Sequence, residues 1–241
     1  MLAAAGIGSR RHCEALIASG RVAVNGRVVT RLGTRADPAK DIICVDGKRI
    51  DTAQEKVYIL LNKPPGYTCT RFDRFAKHTV MELLEEVQGY LYPVGRLDAD
   101  TSGAVLLTND GELANLLTHP SYEVEKTYVA VVKGRISSSS LERLARGVEL
   151  DDGPTAPAKV RLLSYSQADD TSRVEITIHE GRKRQVKRMF QAVGHKVLSL
   201  TRTRFGSLNL RGLAQGEHRY LTKKEIDRLR KSAASRTADG S

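Results

Sequence analysis

Hydrophobic spacing divides the chain into two unequal parts. Between Ser9 and Gly20 the apolar residues Cys13, Leu16 and Ile17 recur at helical spacing, with a serine to cap the start and a glycine to stop the end. RVAVNGRVV then reads as a hairpin around Asn25-Gly26, and IICVDGKRI as another around Asp46-Gly47. Residues 51–56 (DTAQEK) are polar and read as a linker. Beyond them the strand-like runs are YILLNK, AVLLT, KTYVAVV, APAKVRLL, RVEITIH and HKVLSLT. The helix-like runs are TVMELLEEV, GELANLLTH, SSLERLARG, GRKRQVKRMFQAVG and TKKEIDRLRK, the last opening with a capping box from Thr222 to Glu225. Strands and helices do not alternate strictly, so the expected class is α+β with a mixed, largely antiparallel sheet. The expected organisation is a small unit over 1–50, a large block over 57–231, and a disordered tail over 232–241, where the residues turn small and polar. There are no internal repeats.

Composition narrows the class. With 40% hydrophobic and 28% charged residues the chain has ordinary globular usage. No apolar run approaches the roughly 20 residues that span a bilayer, so no membrane association is expected. The opening MLAAAGIG is too short for a signal core and runs straight into Arg10 and Arg11, the reverse of the secretory order. Three scattered cysteines without a CxxC pair argue against a disulfide framework or a zinc knuckle and fit a reducing cytoplasm. Charge is more informative: 39 Lys and Arg against 28 Asp and Glu give +11, which favours a polyanionic partner. Aromatics are only 5%, with no Trp, which excludes a broad base-stacking platform.

The first unit concentrates that charge, with nine Lys/Arg against four Asp/Glu over residues 1–50. Arg10 and Arg11 fall in the first helical turn, where the helix dipole favours anions, so both are candidate phosphate ligands. AGIGSRRHCEALIASGRVAVNGRVV resembles the S4 RNA-binding domain over nearly its whole length. Only MLAAAG precedes the loop, whereas that family has a longer first helix, which suggests a missing first turn or a truncated start. Without the resemblance, this stretch is a generic helix-plus-hairpin unit with surface arginines.

The segment Gly95-Arg96-Leu97-Asp98-Ala99-Asp100-Thr101-Ser102-Gly103 allows three readings. Asp98, Asp100, Ser102 and Gly103 mimic the first half of a calcium loop, but the twelfth position is Asn109 in place of Glu, and the residues after Gly103 read as strand. The second reading is a polar turn whose aspartates bond their own backbone. In the third, the loop presents a catalytic carboxylate flanked by an arginine that engages nucleic acid.

YILLNKPPGYTCT, VGRLDADTSGAVLLTNDGELAN, EKTYVA and EGRKRQVKRMFQAVGHKVLSLTRTRFG resemble the successive motifs of the RsuA/RluB group of ribosomal-RNA pseudouridine synthases. The resemblance covers essentially the whole chain. It implies isomerisation of a uridine: the N1–C1′ bond breaks, the base turns, and it rejoins through C5, with no cofactor and no metal. Asp98 matches the family's essential aspartate. Three roles stay open for it: attack on the ribose C1′, attack on C6 of the base, or promotion of elimination to a glycal. Lys187 matches the basic residue paired with it, and Tyr128 the active-site tyrosine. Leu200 matches the apolar floor beneath the uracil. Without the resemblance, Lys187 is a solvated helix lysine, while Tyr128 and Leu200 are ordinary core.

A uridine inside a stem must be flipped out, at a few kcal/mol for unstacking, and Arg96 is placed to fill the vacancy or to hold a phosphate. From Gly181 to Arg211 there are nine Lys/Arg and no Asp/Glu. Arg182, Lys183, Arg184, Arg188, Arg202 and Arg204 are therefore expected to form a phosphate-binding rim; nuclear targeting is the other reading of GRKR. The expected function is ribosomal-RNA pseudouridine synthesis by a cytoplasmic monomer, leaning to the large subunit. Its rivals are the small-subunit enzyme, a catalytically inert S4-containing assembly factor, and a methyltransferase. The last would need a glycine-rich cofactor loop after a strand, which is missing.

Overall fold

Asn25 and Gly26, like Asp46 and Gly47, all take positive φ and close two tight hairpins. Helix α1 (Arg10–Ala18) is followed by β1 (Val22–Val24), β2 (Arg27–Val29), β3 (Ile43–Val45) and β4 (Lys48–Arg49), which form an antiparallel sheet of order β2-β1-β3-β4. The Ser9 hydroxyl caps α1 by accepting the His12 amide at 3.2 Å. Leu2, Cys13, Leu16, Val22 and Ile43 make a small core belonging to this unit alone.

The structure, a computed structural model, describes residues 1–51 and 55–238. The expected linker is therefore seen only in part. Its end is tied down: Asn109 donates to the Glu55 carbonyl at 2.9 Å, and Lys56 pairs with Asp110 at 3.3 Å.

The large block contains β5 (Tyr58–Lys63), β6 (Tyr92–Val94), β7 (Ser102–Thr108), α2 (Gly111–Thr118), β8 (Lys126–Lys133), α3 (Ser138–Arg146), β9 (Glu149–Leu150) and β10 (Gly153–Pro154). There follow β11 (Lys159–Ser166), β12 (Thr171–Ile178), α4 (Gln185–Ala192), β13 (Val197–Phe205), β14 (Leu208–Asn209), β15 (His218–Tyr220) and α5 (Lys223–Ala238). The main sheet runs β11-β12-β8-β13-β7-β5-β15, with β14 added to β13 and β6 to β7. Among the strands of the described residues only β13 and β7 pair in parallel, so the class is α+β with a mixed, largely antiparallel sheet.

Both faces of the sheet centre are covered. Ile59, Leu61, Val105 and Leu107 join one apolar cluster, while Leu60, Ala104 and Leu106 join the other. This period-2 division explains why β5 and β7 read as unbroken apolar runs. Helix α4 covers the first face with Val186, Met189 and Phe190; α2 and α5 cover the second with Leu113, Leu117 and Leu229.

Three expectations are corrected. TVMELLEEV makes only a 3₁₀ segment over Val80–Leu84, capped by Thr79 and Glu82. GRKR is not helical: Arg184 takes φ 50°, and α4 starts at Gln185. The stretch from Ser232 expected to be disordered continues the backbone of α5 as far as Ala238. The last residues of that expected tail lie outside the described ones.

Candidate active site

The loop joining β6 to β7 carries Arg96, Asp98 and Asp100, and it is braced from behind. Lys63, at the end of β5, is fully buried, and its ammonium donates to the carbonyls of Pro64, Tyr67 and Ala99 at 2.9, 2.8 and 3.2 Å. Burial holds its pKa below the usual lysine value. The Gly66 amide donates to the Ala99 carbonyl at 2.7 Å, the Leu97 amide to Cys69 Sγ at 3.4 Å, and the Thr101 amide to the Asp98 carbonyl at 3.0 Å. Gly103 closes the loop at φ +112°, where an added Cβ would lie 2.2 Å from the Arg202 carbonyl oxygen. Only glycine allows β7 and β13 to approach there. Ser102 and Gly103 are thus strand residues, which disposes of the calcium-loop reading.

Loop, sheet and α4 meet in a cleft. Lys187 enters from α4 with its side chain 14% exposed and reaches two carboxylates: Asp98 Oδ2 at 3.8 Å and Asp100 Oδ1 at 2.5 Å. The lysine hydrogen bond holds the Asp100 carboxyl below its usual range. Asp100 thus bonds Lys187 as well as shaping the loop. It is the closer partner of Lys187, and Asp98 is the more enclosed carboxylate, 37% exposed against 67%. Tyr128 on β8 and Leu200 on β13 are buried and line the same cleft, with Arg96 exposed at its mouth. Five residues expected to act together are thus brought together.

The rim is less uniform than its charge suggests. Arg10, Arg11, Lys183, Arg184 and Arg204 are exposed. Arg188 is bound to both oxygens of Asp152 at 2.9 Å, and Arg182 donates to Glu180 and to the Gly153 and Pro154 carbonyls. These two clamp the β9–β10 hairpin. Arg202 is not on the rim: it is 2% exposed, and its Nε donates to the Ala104 carbonyl at 2.8 Å. Charge counting missed this because it carries no information on depth. Sequence reasoning also passed over Lys63 and Lys126. Alternation along KTYVAVV, which puts Lys126 on the same strand face as Tyr128, was the available signal for the latter.

Chemically, the cleft offers a carboxylate beside an ammonium, a phenol and a leucine side chain. Such a set suits stabilisation of developing positive charge or nucleophilic attack, with proton transfer alongside.

Comparison with known proteins places this geometry. Residues 57–192 match the RNA pseudouridylate synthase family, and residues 1–43 match the S4 domain. The chain is 49% identical to the ribosomal large subunit pseudouridine synthase B of Bacillus subtilis, over 95% of this chain and 93% of that one. It is 42% identical to the protein of that name from Yersinia pestis, over 95% of this chain and 74% of that one. A crystal structure of a pseudouridylate synthase superposes with a TM-score of 0.66 at 33% identity, covering 95% of this chain and 96% of the other. Carrying the carboxylate, ammonium and phenol of its cleft within the matched residues, the chain belongs to the RNA pseudouridylate synthase family.

Proposed function

We propose that this protein isomerises one uridine of large-subunit ribosomal RNA to pseudouridine. The observation that carries the reading is the Asp98–Lys187 ion pair in a cleft lined by Tyr128 and Leu200. The names of the Bacillus and Yersinia relatives support the choice of ribosomal subunit. Asp98 is the catalytic carboxylate, acting on the ribose or the base as the N1–C1′ bond breaks. Lys187 faces it at 3.8 Å and balances its charge as the bond to the base breaks. Tyr128 holds the uracil and takes the proton that C5 loses when the C5–C1′ bond forms, while N1 gains one, so atoms balance without a cofactor or metal.

Arg96, at the mouth, occupies the place that the flipped base leaves. Residues 1–50 anchor the RNA through Arg10 and Arg11, and the block over 57–231 performs the reaction, with Lys183, Arg184 and Arg204 on phosphates. The protein works as a cytoplasmic monomer; among the described residues no helix is long and apolar enough to cross a membrane. Mapping pseudouridines in ribosomal RNA from cells with and without the gene tests the reading. One large-subunit site is expected to vanish and to return with the wild-type gene but not with Asp98→Asn. Loss of a small-subunit site, or of none, overturns it.

A further inference from the structure

Two cations in the interior of the cleft have no part in the chemistry above. Lys126 opens β8 two residues before Tyr128, so both side chains leave the same face, about 6.7 Å apart along the strand. Arg202 is the register partner of Tyr128 on β13. Both line the cleft that holds Asp98, Tyr128 and Lys187.

The Lys126 ammonium donates to the carbonyls of Val124 at 2.8 Å and His179 at 3.2 Å, and neither it nor Arg202 forms an ion pair among the described residues. Arg202 rests over the Phe205 ring at 4.8 Å, and its Nη2 is buried without a hydrogen-bond partner among the described residues. The acid closest in effect to Lys126 is Glu180. Its oxygens already accept from Arg182, Gln185 and the Ala156 amide. Burial first, and then the Arg202 charge, push the Lys126 pKa down to about 8. Burying two like charges without a counter-ion is costly, and an anion placed between them offsets that cost.

We propose that Lys126 and Arg202 form an anion site inside the cleft that binds a backbone phosphate flanking the target nucleotide. The inference rests on the cleft being the uridine site. A uracil carbonyl is neutral and compensates two cations only in part, whereas a phosphodiester brings a full negative charge and two free oxygens, one for each donor. Because the site is interior, it engages only a nucleotide that has already left its stem. Its binding energy then favours the flipped state over the stacked one.

Isothermal titration of the full chain with uridine, 3′-UMP and 5′-UMP tests this. One monophosphate is expected to bind about tenfold or more tightly than uridine, the scale of charge-assisted hydrogen bonds. Lys126→Met is expected to remove that advantage and leave uridine affinity unchanged, while Lys126→Arg retains it. Unchanged circular dichroism and melting identify variants that are folded. Equal affinity for nucleoside and nucleotides, no binding of either monophosphate, or an undiminished advantage in Lys126→Met overturns the site. A Lys126-dependent phosphate advantage in a protein that modifies no ribosomal uridine would sink the substrate reading and leave the site standing.

Discussion

At the scale of single residues, the active site turns on how one ammonium is divided between two carboxylates. Lys187 lies 2.5 Å from Asp100 and 3.8 Å from Asp98, although Asp98 is the carboxylate proposed to act on the uridine. Asp98→Asn keeps size and hydrogen-bonding capacity but removes the charge. Single-turnover rates are expected to fall by at least about a thousandfold, the scale for a group acting in the transition state, while RNA affinity survives. Substantial residual pseudouridine formation by the pure variant would contradict the assignment. Asp100→Asn leaves Lys187 with Asp98 as its remaining carboxylate partner, so a loss of less than about tenfold is expected, as for other exposed pairs. A loss as deep as that of Asp98→Asn would move the essential charge to Asp100. Sequence motifs were sufficient to gather Asp98, Lys187, Tyr128 and Leu200 because each sits in a short, ordered segment. The sharing of Lys187 and the depth of Arg202 were not legible, since both depend on which strands become neighbours.

At the scale of elements, two positions decide whether the scaffold holds. Gly103 permits the parallel pairing between β7 and β13. Gly103→Ala combines a strained φ with contact against the Arg202 backbone, and is expected to cost about 2–5 kcal/mol in urea unfolding. A loss below about 1 kcal/mol would mean that the strands separate easily. At the other end, Arg219 on β15 holds Glu225 in the first turn of α5 through two hydrogen bonds, and the Thr222 cap adds to this. The arginine contact, first among these, lowers the Glu225 pKa from 4.5 to about 2. A depressed carboxyl contributes stability above its unfolded pKa, and loses it as pH falls through the folded one. Glu225→Gln is therefore expected to cost about 1–2 kcal/mol at neutral pH, discounted because Arg219 is a third exposed. That difference should shrink between about pH 4.5 and pH 2. A difference independent of pH across that window would remove the ion pair from the account. The Thr222–Glu225 capping box was visible in the sequence because it is local. Strand β15 was not, because His218–Tyr220 acquires its identity only by pairing with β5. For the same reason β6 escaped notice: a three-residue strand has too little alternation to read.

For the whole molecule, the question is whether residues 1–50 tether the RNA or also position the uridine. The small core of Leu2, Cys13, Leu16, Val22 and Ile43 contains no residue beyond 50, and the two large clusters contain none before Val57. Deleting residues 1–50 is therefore expected to leave the catalytic block folded, with cooperative melting. Arg10 and Arg11 are exposed at the start of α1, so the first unit is expected to bind chiefly through phosphates. Each neutralised phosphate contributes about 0.7–0.9 to the slope of log K against log salt. Truncation should weaken RNA binding and lower that slope by about 2 or more. At saturating RNA and low salt, the truncated enzyme should still react, since Asp98, Tyr128 and Lys187 all remain. If the first unit positions the stem as well, remote binding energy is used at the reacting centre and the saturated rate falls with the affinity. Single-turnover measurement distinguishes the cases: a loss beyond about a hundredfold, roughly 2.7 kcal/mol of barrier, would refute tethering alone.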